Sequence, residues 1–267
     1  MRPPRLLLIG DSSSDEFRRA IESLAGADRV AVAELNAASQ VLATDPRPFD
    51  LVVLLQSWPG EFSHEQVARM AQLAPLSRMV RLAGSWCEGE GRSGVSGAAA
   101  MRIYWHQWPS RAGDAMTRLG DGGCPIWGLP LTATEDERLL AQVTRLHARR
   151  HGTVIIASHD PEMADWLAAA APMRGYQPVC VEPIPGRVRA NGVAAALWDA
   201  SQFHEEQAES LQAFVRSLGN APLIALLNFP RAEDYLRALA AGAAAIISKP
   251  LLLSDLFWQL DQLANVS

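Results

Sequence analysis

The sequence predicts an α/β protein made of two similar units in tandem, each a parallel sheet with helices on both faces. Short apolar runs of strand length alternate with segments of helical periodicity along the chain. The runs are apolar at consecutive positions, which is typical of parallel strands buried between two layers of helices. The same order of elements occurs twice, so the chain contains an internal repeat of about 120 to 140 residues, longer than a solenoid repeat.

Composition limits the classes of function. The chain has 267 residues, of which 49% are hydrophobic and 20% charged, enough for two domains of ordinary size. A net charge of −5 gives no basic surface for nucleic acid. No apolar run reaches the length of a membrane span and the amino terminus has no signal-peptide core, so we expect no membrane contact and a cytoplasmic location. Cys87, Cys124 and Cys180 lack the spacing of a zinc site or disulfide framework, and no metal or cofactor is predicted.

Unit 1 is predicted to cover residues 1–150. Its apolar runs predict five strands, at residues 5–9, 29–34, 50–55, 77–83 and 124–127. Its periodic segments predict helices at residues 15–24, 37–44 and 64–73, and a last helix at residues 131–150. That last helix has acidic residues at its start and arginines at its end, as the helix dipole favours. It leads into unit 2 almost without a linker.

Unit 2 is predicted to cover residues 151–267. Its strands are expected at residues 153–157, 192–198, 222–227 and 243–247, and a terminal helix at residues 254–264. The last strand leads into Lys249 and Pro250. Lys249 is the single lysine of the chain, and every other member of its Lys and Arg residues is arginine. Because arginine would serve at an ordinary solvated position, Lys249 is a candidate for a specific role.

The end of unit 2 resembles a response-regulator receiver (CheY-like) domain, in which a strand, a helix ending in Gly-Ala and a short strand closing on Lys-Pro follow one another. In that family the lysine contacts the phosphoryl group on an aspartate after the third strand, and Asp199 holds that position here. The resemblance implies a flavodoxin-like, doubly wound sheet of five parallel strands in each unit, in the order 2-1-3-4-5.

The match to receivers is incomplete at the residues that carry the chemistry. Receivers place two acidic residues after the first strand to hold Mg²⁺, whereas unit 2 has Ser158 and His159 there, with Asp160 one position later. Receivers have a Ser or Thr at the end of the fourth strand, and this chain has Leu227 at that position. Asp199 and Lys249 are therefore expected to remain as a vestigial, salt-bridged site. Unit 1 differs more from the receiver pattern. It has one acidic residue, Asp11, where receivers have two, and it is expected to have Gln56 at the acceptor position and Leu129 in place of the lysine.

Residues 84–109 of unit 1 read as a long glycine-rich insertion. It holds five glycines and three of the eight tryptophans of the chain. Aromatic residues and arginine carry much of the energy of protein interfaces, so the segment predicts a contact loop. Its proposed members are Trp86, Arg92, Arg102, Tyr104, Trp105, His106 and Trp108. Three alternatives stay open. Arg102 to Trp105 could be a strand or the start of a helix whose aromatics pack on the sheet, and the glycines at positions 89, 91 and 94 could let the backbone approach an anion. The third is a Cys87–His106 nucleophilic pair oriented by Glu88 or Glu90.

The function these patterns favour is that of a signalling or scaffold protein, not an enzyme, built from two receiver-like units without receiver chemistry. It would act through a protein partner or through self-association as a homodimer. The alternative is a response regulator that still accepts a phosphoryl group on Asp199.

Overall fold

The chain divides into two compact units, Met1–Leu139 (unit 1) and Leu140–Ser267 (unit 2). A computed structural model describes residues 3–88, 100–120, 134, 150–184, 192–201 and 203–264. None of the helices in these ranges combines the length and the apolar character needed to cross a bilayer. The helix predicted at residues 131–150 lies almost wholly outside the described residues. The domain boundary predicted at residue 150 stays a prediction.

Unit 1 alternates strands and helices, as its apolar runs predict. Its strands are β1 (Arg5–Ile9), β2 (Asp28–Val32), β3 (Leu51–Gln56), β4 (Arg78–Ala83) and β5 (Met101–Tyr104). Its helices are α1 (Asp15–Glu22), α2 (Leu35–Thr44), α3 (His64–Leu73) and α4 (Trp108–Gly120), with a 3₁₀ turn at Ser85–Cys87. Helix α3 starts where Ser63 and Gln66 form a reciprocal capping box.

The five strands of unit 1 are parallel, in the order β2-β1-β3-β4-β5. Strands β1 and β3 are buried along their whole length, which explains their uninterrupted apolar sequences. On one face the core includes Ala38 of α2 with Val67 and Met70 of α3. Helices α1 and α4 contact each other. The expected order 2-1-3-4-5 is therefore confirmed for unit 1.

The fifth described strand of unit 1 lies in the segment that was read as an insertion. Met101–Tyr104 pairs with β4 from Val80↔Met101 to Ala83↔Tyr104. Residues 124–127, including Cys124, where a strand was predicted, lie outside the described residues, as does Leu129. The expected insertion at 84–109 thus contains a 3₁₀ turn, a strand and the start of α4. The alternative that Arg102 to Trp105 forms a strand or the start of a helix is closer to this arrangement than the contact loop.

Unit 2 repeats the plan. Its strands are β6 (Thr153–Ala157), β7 (Gln177–Val181), β8 (Val193–Ala200), β9 (Leu223–Asn228) and β10 (Ala245–Lys249). Its helices are α5 (Pro161–Arg174), α6 (Glu205–Ser217), α7 (Ala232–Ala240) and α8 (Leu253–Ala264). Helix α5 begins with an aspartate cap followed by proline and ends at Gly175, whose φ of 98° is a conformation that glycine adopts readily.

The sheet of unit 2 has the order β10-β9-β8-β6-β7. Read from β7, with β6 counted as the first strand of the unit, this is again 2-1-3-4-5. Leu167 of α5 and Leu256 and Leu260 of α8 share one core cluster with the strands. Helices α6 and α7 contact each other and bury Phe214 and Tyr235. Both units are therefore flavodoxin-like, doubly wound α/β sheets.

Candidate functional site

The carboxyl end of the unit 2 sheet brings together the polar residues that the sequence singled out. Asp199 lies near the end of β8 with only 6% of its surface exposed, although it carries a carboxylate. The Lys249 ammonium, at the end of β10, is in direct contact with Asp199 Oδ1. The Ser158 hydroxyl, directly after β6, donates to Asp199 Oδ2 over 2.7 Å. Both carboxylate oxygens thus have partners from the protein, as a buried charge requires.

The acidic pair that would hold Mg²⁺ in a receiver is missing from this arrangement. Asp160 accepts hydrogen bonds from the backbone N–H groups of Glu162 at 3.0 Å and Met163 at 3.4 Å. It therefore serves as the amino-terminal cap of α5. His159 is exposed at the rim. Among the described residues no group of three or more His, Cys, Asp or Glu side chains could hold a metal ion.

A cleft of about 910 Å³ opens beside Asp199. It is lined by Asp160, Glu206, Phe229 and Lys249, among others. Leu227, where receivers have a hydroxyl residue, is buried and apolar. Phe229 has a positive φ of 38° and is half exposed over the cleft. Nothing in the sequence pattern pointed to Phe229.

Strand register shows what unit 1 has in place of this site. The last residues of the first strands, Ile9 and Ala157, pair with Leu54 and Trp198, respectively. The next residue along the third strand is Leu55 in unit 1 and Asp199 in unit 2. The residue at the acceptor position is therefore Leu55, and the prediction of Gln56 there was wrong by one residue.

The same register locates the counterpart of Lys249. Leu55 pairs with Leu82, which pairs with Ile103. Asp199 pairs with Leu226, which pairs with Ile247. Lys249 lies two residues after Ile247, and Trp105 lies two residues after Ile103. Trp105 therefore stands in the lysine register of the described sheet of unit 1, and Leu129, which was predicted there, lies outside the described residues.

Unit 1 also lacks room for the first acidic residue of a receiver. Gly10 follows β1 as Ser158 follows β6, and its φ of 121° is strained for other residues. A Cβ at Gly10 would lie 2.6 Å from the carbonyl oxygen of Leu55. Asp11, the next residue, is exposed, and the hydroxyl and N–H of Ser13 lower its pKa. Apolar side chains thus replace the acceptor and the lysine.

The predicted contact loop is divided between core and surface. Trp105, His106 and Trp108 are buried, so the expectation that they are available for partner contact is corrected. The Trp108 indole N–H lies 3.1 Å from both the Ala20 carbonyl and the Ser23 hydroxyl, which connects α4 to the end of α1. Their aromatic surface packs inside unit 1 because Met101–Tyr104 is a strand of the sheet.

The remaining members of the loop lie nearer the surface. Trp86 is exposed on its 3₁₀ turn, whereas Arg102 and Tyr104 of β5 are partly buried. The Tyr104 hydroxyl lies 3.4 Å from the Glu88 carbonyl oxygen. Arg92 and Glu90 lie outside the described residues.

The suggested nucleophile of the loop, Cys87, is fully buried. Its Sγ lies 3.6 Å from the Gln56 carbonyl oxygen. Glu88 Oε1 lies 3.5 Å from His106 Nε2, so the imidazole does have a carboxylate beside it. A thiol sealed from solvent is poorly placed to attack a substrate, which weighs against the nucleophilic reading.

No protein-family profile and no curated protein matches the chain. Solved structures do resemble it. A CheY-like receiver domain from Methanospirillum hungatei JF-1 is 21% identical, covering 44% of this chain and 100% of its own, with a TM-score of 0.38. The receiver domain of a Francisella response regulator is 17% identical, covering 43% of this chain and 98% of its own, with a TM-score of 0.37.

A third structure matches along nearly the whole chain. It is described as a probable two-component system response regulator/GGDEF domain protein, and is 10% identical, with 98% of each chain covered and a TM-score of 0.37. At these identities and TM-scores the likeness is reported as a likeness of fold alone. The strand order of both sheets is by itself that of two receiver-like units in tandem.

Proposed function

We propose that the chain is a signalling protein of two receiver-like units that acts through protein contacts and performs no phosphoryl transfer. The observation that carries this proposal is the set of partners around Asp199. Lys249 and Ser158 occupy its two oxygens, and Asp160, a carboxylate that lines the same cleft, caps a helix. Phosphoryl transfer depends on metal ions that neutralise the developing charge, and carboxylates are the ligands that Mg²⁺ prefers.

Unit 1 supports the same proposal. Leu55 and Trp105 stand in the registers of the acceptor and the lysine, so neither register in the described sheet supplies a nucleophile or a cation for a phosphoryl group. A flavodoxin-like fold does not by itself imply an activity. Because unit 2 lacks the acidic pair and unit 1 has apolar residues in the acceptor and lysine registers, the units would signal through their surfaces.

A phospho-accepting regulator is the second candidate. The open cleft beside Asp199 and the Asp199–Lys249 contact favour it, because an acceptor aspartate and a cation are both present. Small phosphodonors with Mg²⁺, followed by intact-mass measurement, separate the two candidates. We expect no phosphorylated species in the wild type, as in the Asp199→Asn control. A stable phosphorylated species that is absent from Asp199→Asn would favour the regulator instead.

A further inference from the structure

Two tryptophans of unit 1 are exposed at the carboxyl edge of its sheet. Trp58 is 57% exposed and Trp86 is 82% exposed. They follow neighbouring strands, since Gln56 at the end of β3 pairs with Ala83 at the end of β4. Parallel α/β sheets bind their ligands at this edge. Each tryptophan leaves a large apolar surface in water, which needs an explanation where two occur together.

Hydrogen bonds to Gln56 and Glu16 hold the turns that carry these tryptophans. The Gln56 side-chain amide donates to the Trp58 carbonyl over 3.1 Å, and the Gln56 carbonyl accepts from the Gly84 N–H over 2.8 Å. Glu16 of α1 accepts from both the N–H and the hydroxyl of Ser85, the residue before Trp86. Turns that are already ordered lose less conformational entropy when a partner binds.

The same edge is acidic. Asp11, Glu61 and Glu88 lie in the loops that follow β1, β3 and β4, and the Ser13 hydroxyl holds the pKa of Asp11 below its usual range. The described parts of these loops, residues 10–16, 57–63 and 84–88, contain no lysine, arginine or histidine, and Arg92 of the loop after β4 lies outside the described residues. A partner that covers the tryptophans therefore meets carboxylates, and no competing positive charge, in these described stretches.

We propose that the edge of unit 1 carrying Trp58 and Trp86 binds an arginine-bearing segment of a protein partner. This rests on the proposed function, since it names the chemistry of the partner. The planar guanidinium stacks on the face of tryptophan and donates to carboxylates at the same time. An ammonium is more strongly hydrated and has no planar face, and the negative charge of the edge repels phosphates and acidic peptides.

The first test is a selection from a random peptide display library on the immobilised full-length protein. We expect the wild type to enrich arginine over lysine at defined positions, and the Trp58→Ala/Trp86→Ala double variant to lose that enrichment. Trp166→Ala, which removes an exposed tryptophan of α5 in unit 2, is the matched control and should select as the wild type does.

The second test is the affinity of one selected peptide, followed by fluorescence anisotropy. The double variant should bind it roughly tenfold more weakly or worse, and so should the wild type when the arginines of the peptide are replaced by lysine. Asp11→Lys, an exposed position, should also weaken binding, most clearly at low salt, and it provides a second variant if the tryptophan variants fold poorly.

Selection without arginine enrichment, or enrichment that survives in the folded double variant, would overturn the inference. Equal affinity for arginine and lysine peptides would do the same. These outcomes are distinct from failure of the proposed function: phosphorylation at Asp199 would remove that function and leave the peptide results standing. Absence of arginine enrichment would leave the account of the Asp199 site untouched.

Discussion

At the scale of single residues, the charge of Asp199 is the feature that the rest of its site accommodates. A carboxylate with 6% exposure is stable only if its oxygens are paired, and Lys249 and Ser158 supply the partners. The sequence identified the ion pair because Lys249 is the single lysine of the chain. It did not identify Ser158 as a hydrogen-bond donor, because the orientation of a hydroxyl depends on the folded backbone.

Removing the cation tests this reading of the site. Lys249→Met should destabilise unit 2 by about 3 kcal/mol, because it leaves a buried carboxylate without its charge partner. The double variant Asp199→Asn/Lys249→Met should recover most of that loss, since neither charge remains. Urea unfolding of the wild type and the variants, including Asp199→Asn, gives the double-mutant cycle. Additive effects of the two substitutions would mean that the pair contributes no coupling energy.

A second pair of residues sets a dependence on pH. The Arg5 guanidinium contacts Asp45 directly, and the Arg47 N–H donates to the same carboxylate. Together, with Arg5 as the larger cause, they lower the pKa of Asp45 from 3.8 to about 2. A carboxyl whose pKa is lower in the folded state than in the unfolded state stabilises the fold at pH values above its unfolded pKa. This contribution is lost as the pH falls toward 2. Asp45→Asn should therefore be less stable than the wild type at pH 7, with a deficit that shrinks below about pH 4. A deficit independent of pH, measured by urea midpoints, would contradict this.

At the scale of elements, the assignment of the fifth strand decides which aromatics are core. The short run Met101–Tyr104 is flanked by glycine-rich sequence and by Trp105, which made a contact loop the favoured interpretation. Ile103 is buried in the sheet, and Trp108 packs against the end of α1. A four-residue strand is short for any periodicity, so its pairing with β4 could not be derived from its own residues.

Trp108 and Trp86 form a matched pair for testing the two roles. Trp108→Ala should cost about 3 to 5 kcal/mol, because it empties a fully buried site, and Trp108→Phe about 1 to 2 kcal/mol for the lost indole hydrogen bonds. Trp86→Ala should change stability by less than about 0.5 kcal/mol. Thermal and urea unfolding measure all three. A Trp86→Ala loss as large as that of Trp108→Ala would assign Trp86 to the core.

At the scale of the whole molecule, the fold was predictable and the chemistry of each site only partly so. Strand order followed from the resemblance of Lys249-Pro250 and Asp199 to receiver residues, and both sheets have it. Alignment within unit 1 was less accurate, since a one-residue error at β3 exchanged Leu55 for Gln56. Such an error moves a side chain to the other face of a strand, and strand pairing, rather than local sequence, sets the register.

We expect that neither unit assembles a Mg²⁺-dependent phosphoryl site, and calorimetric titration with Mg²⁺ measures this. We expect no saturable binding to the wild-type protein at millimolar Mg²⁺. The Ser158→Asp/His159→Asp variant, which restores the two carboxylates, should gain a single site, and that site should be lost when Asp199→Asn is added. Saturable binding of one Mg²⁺ by the wild type that disappears in Asp199→Asn would contradict the account.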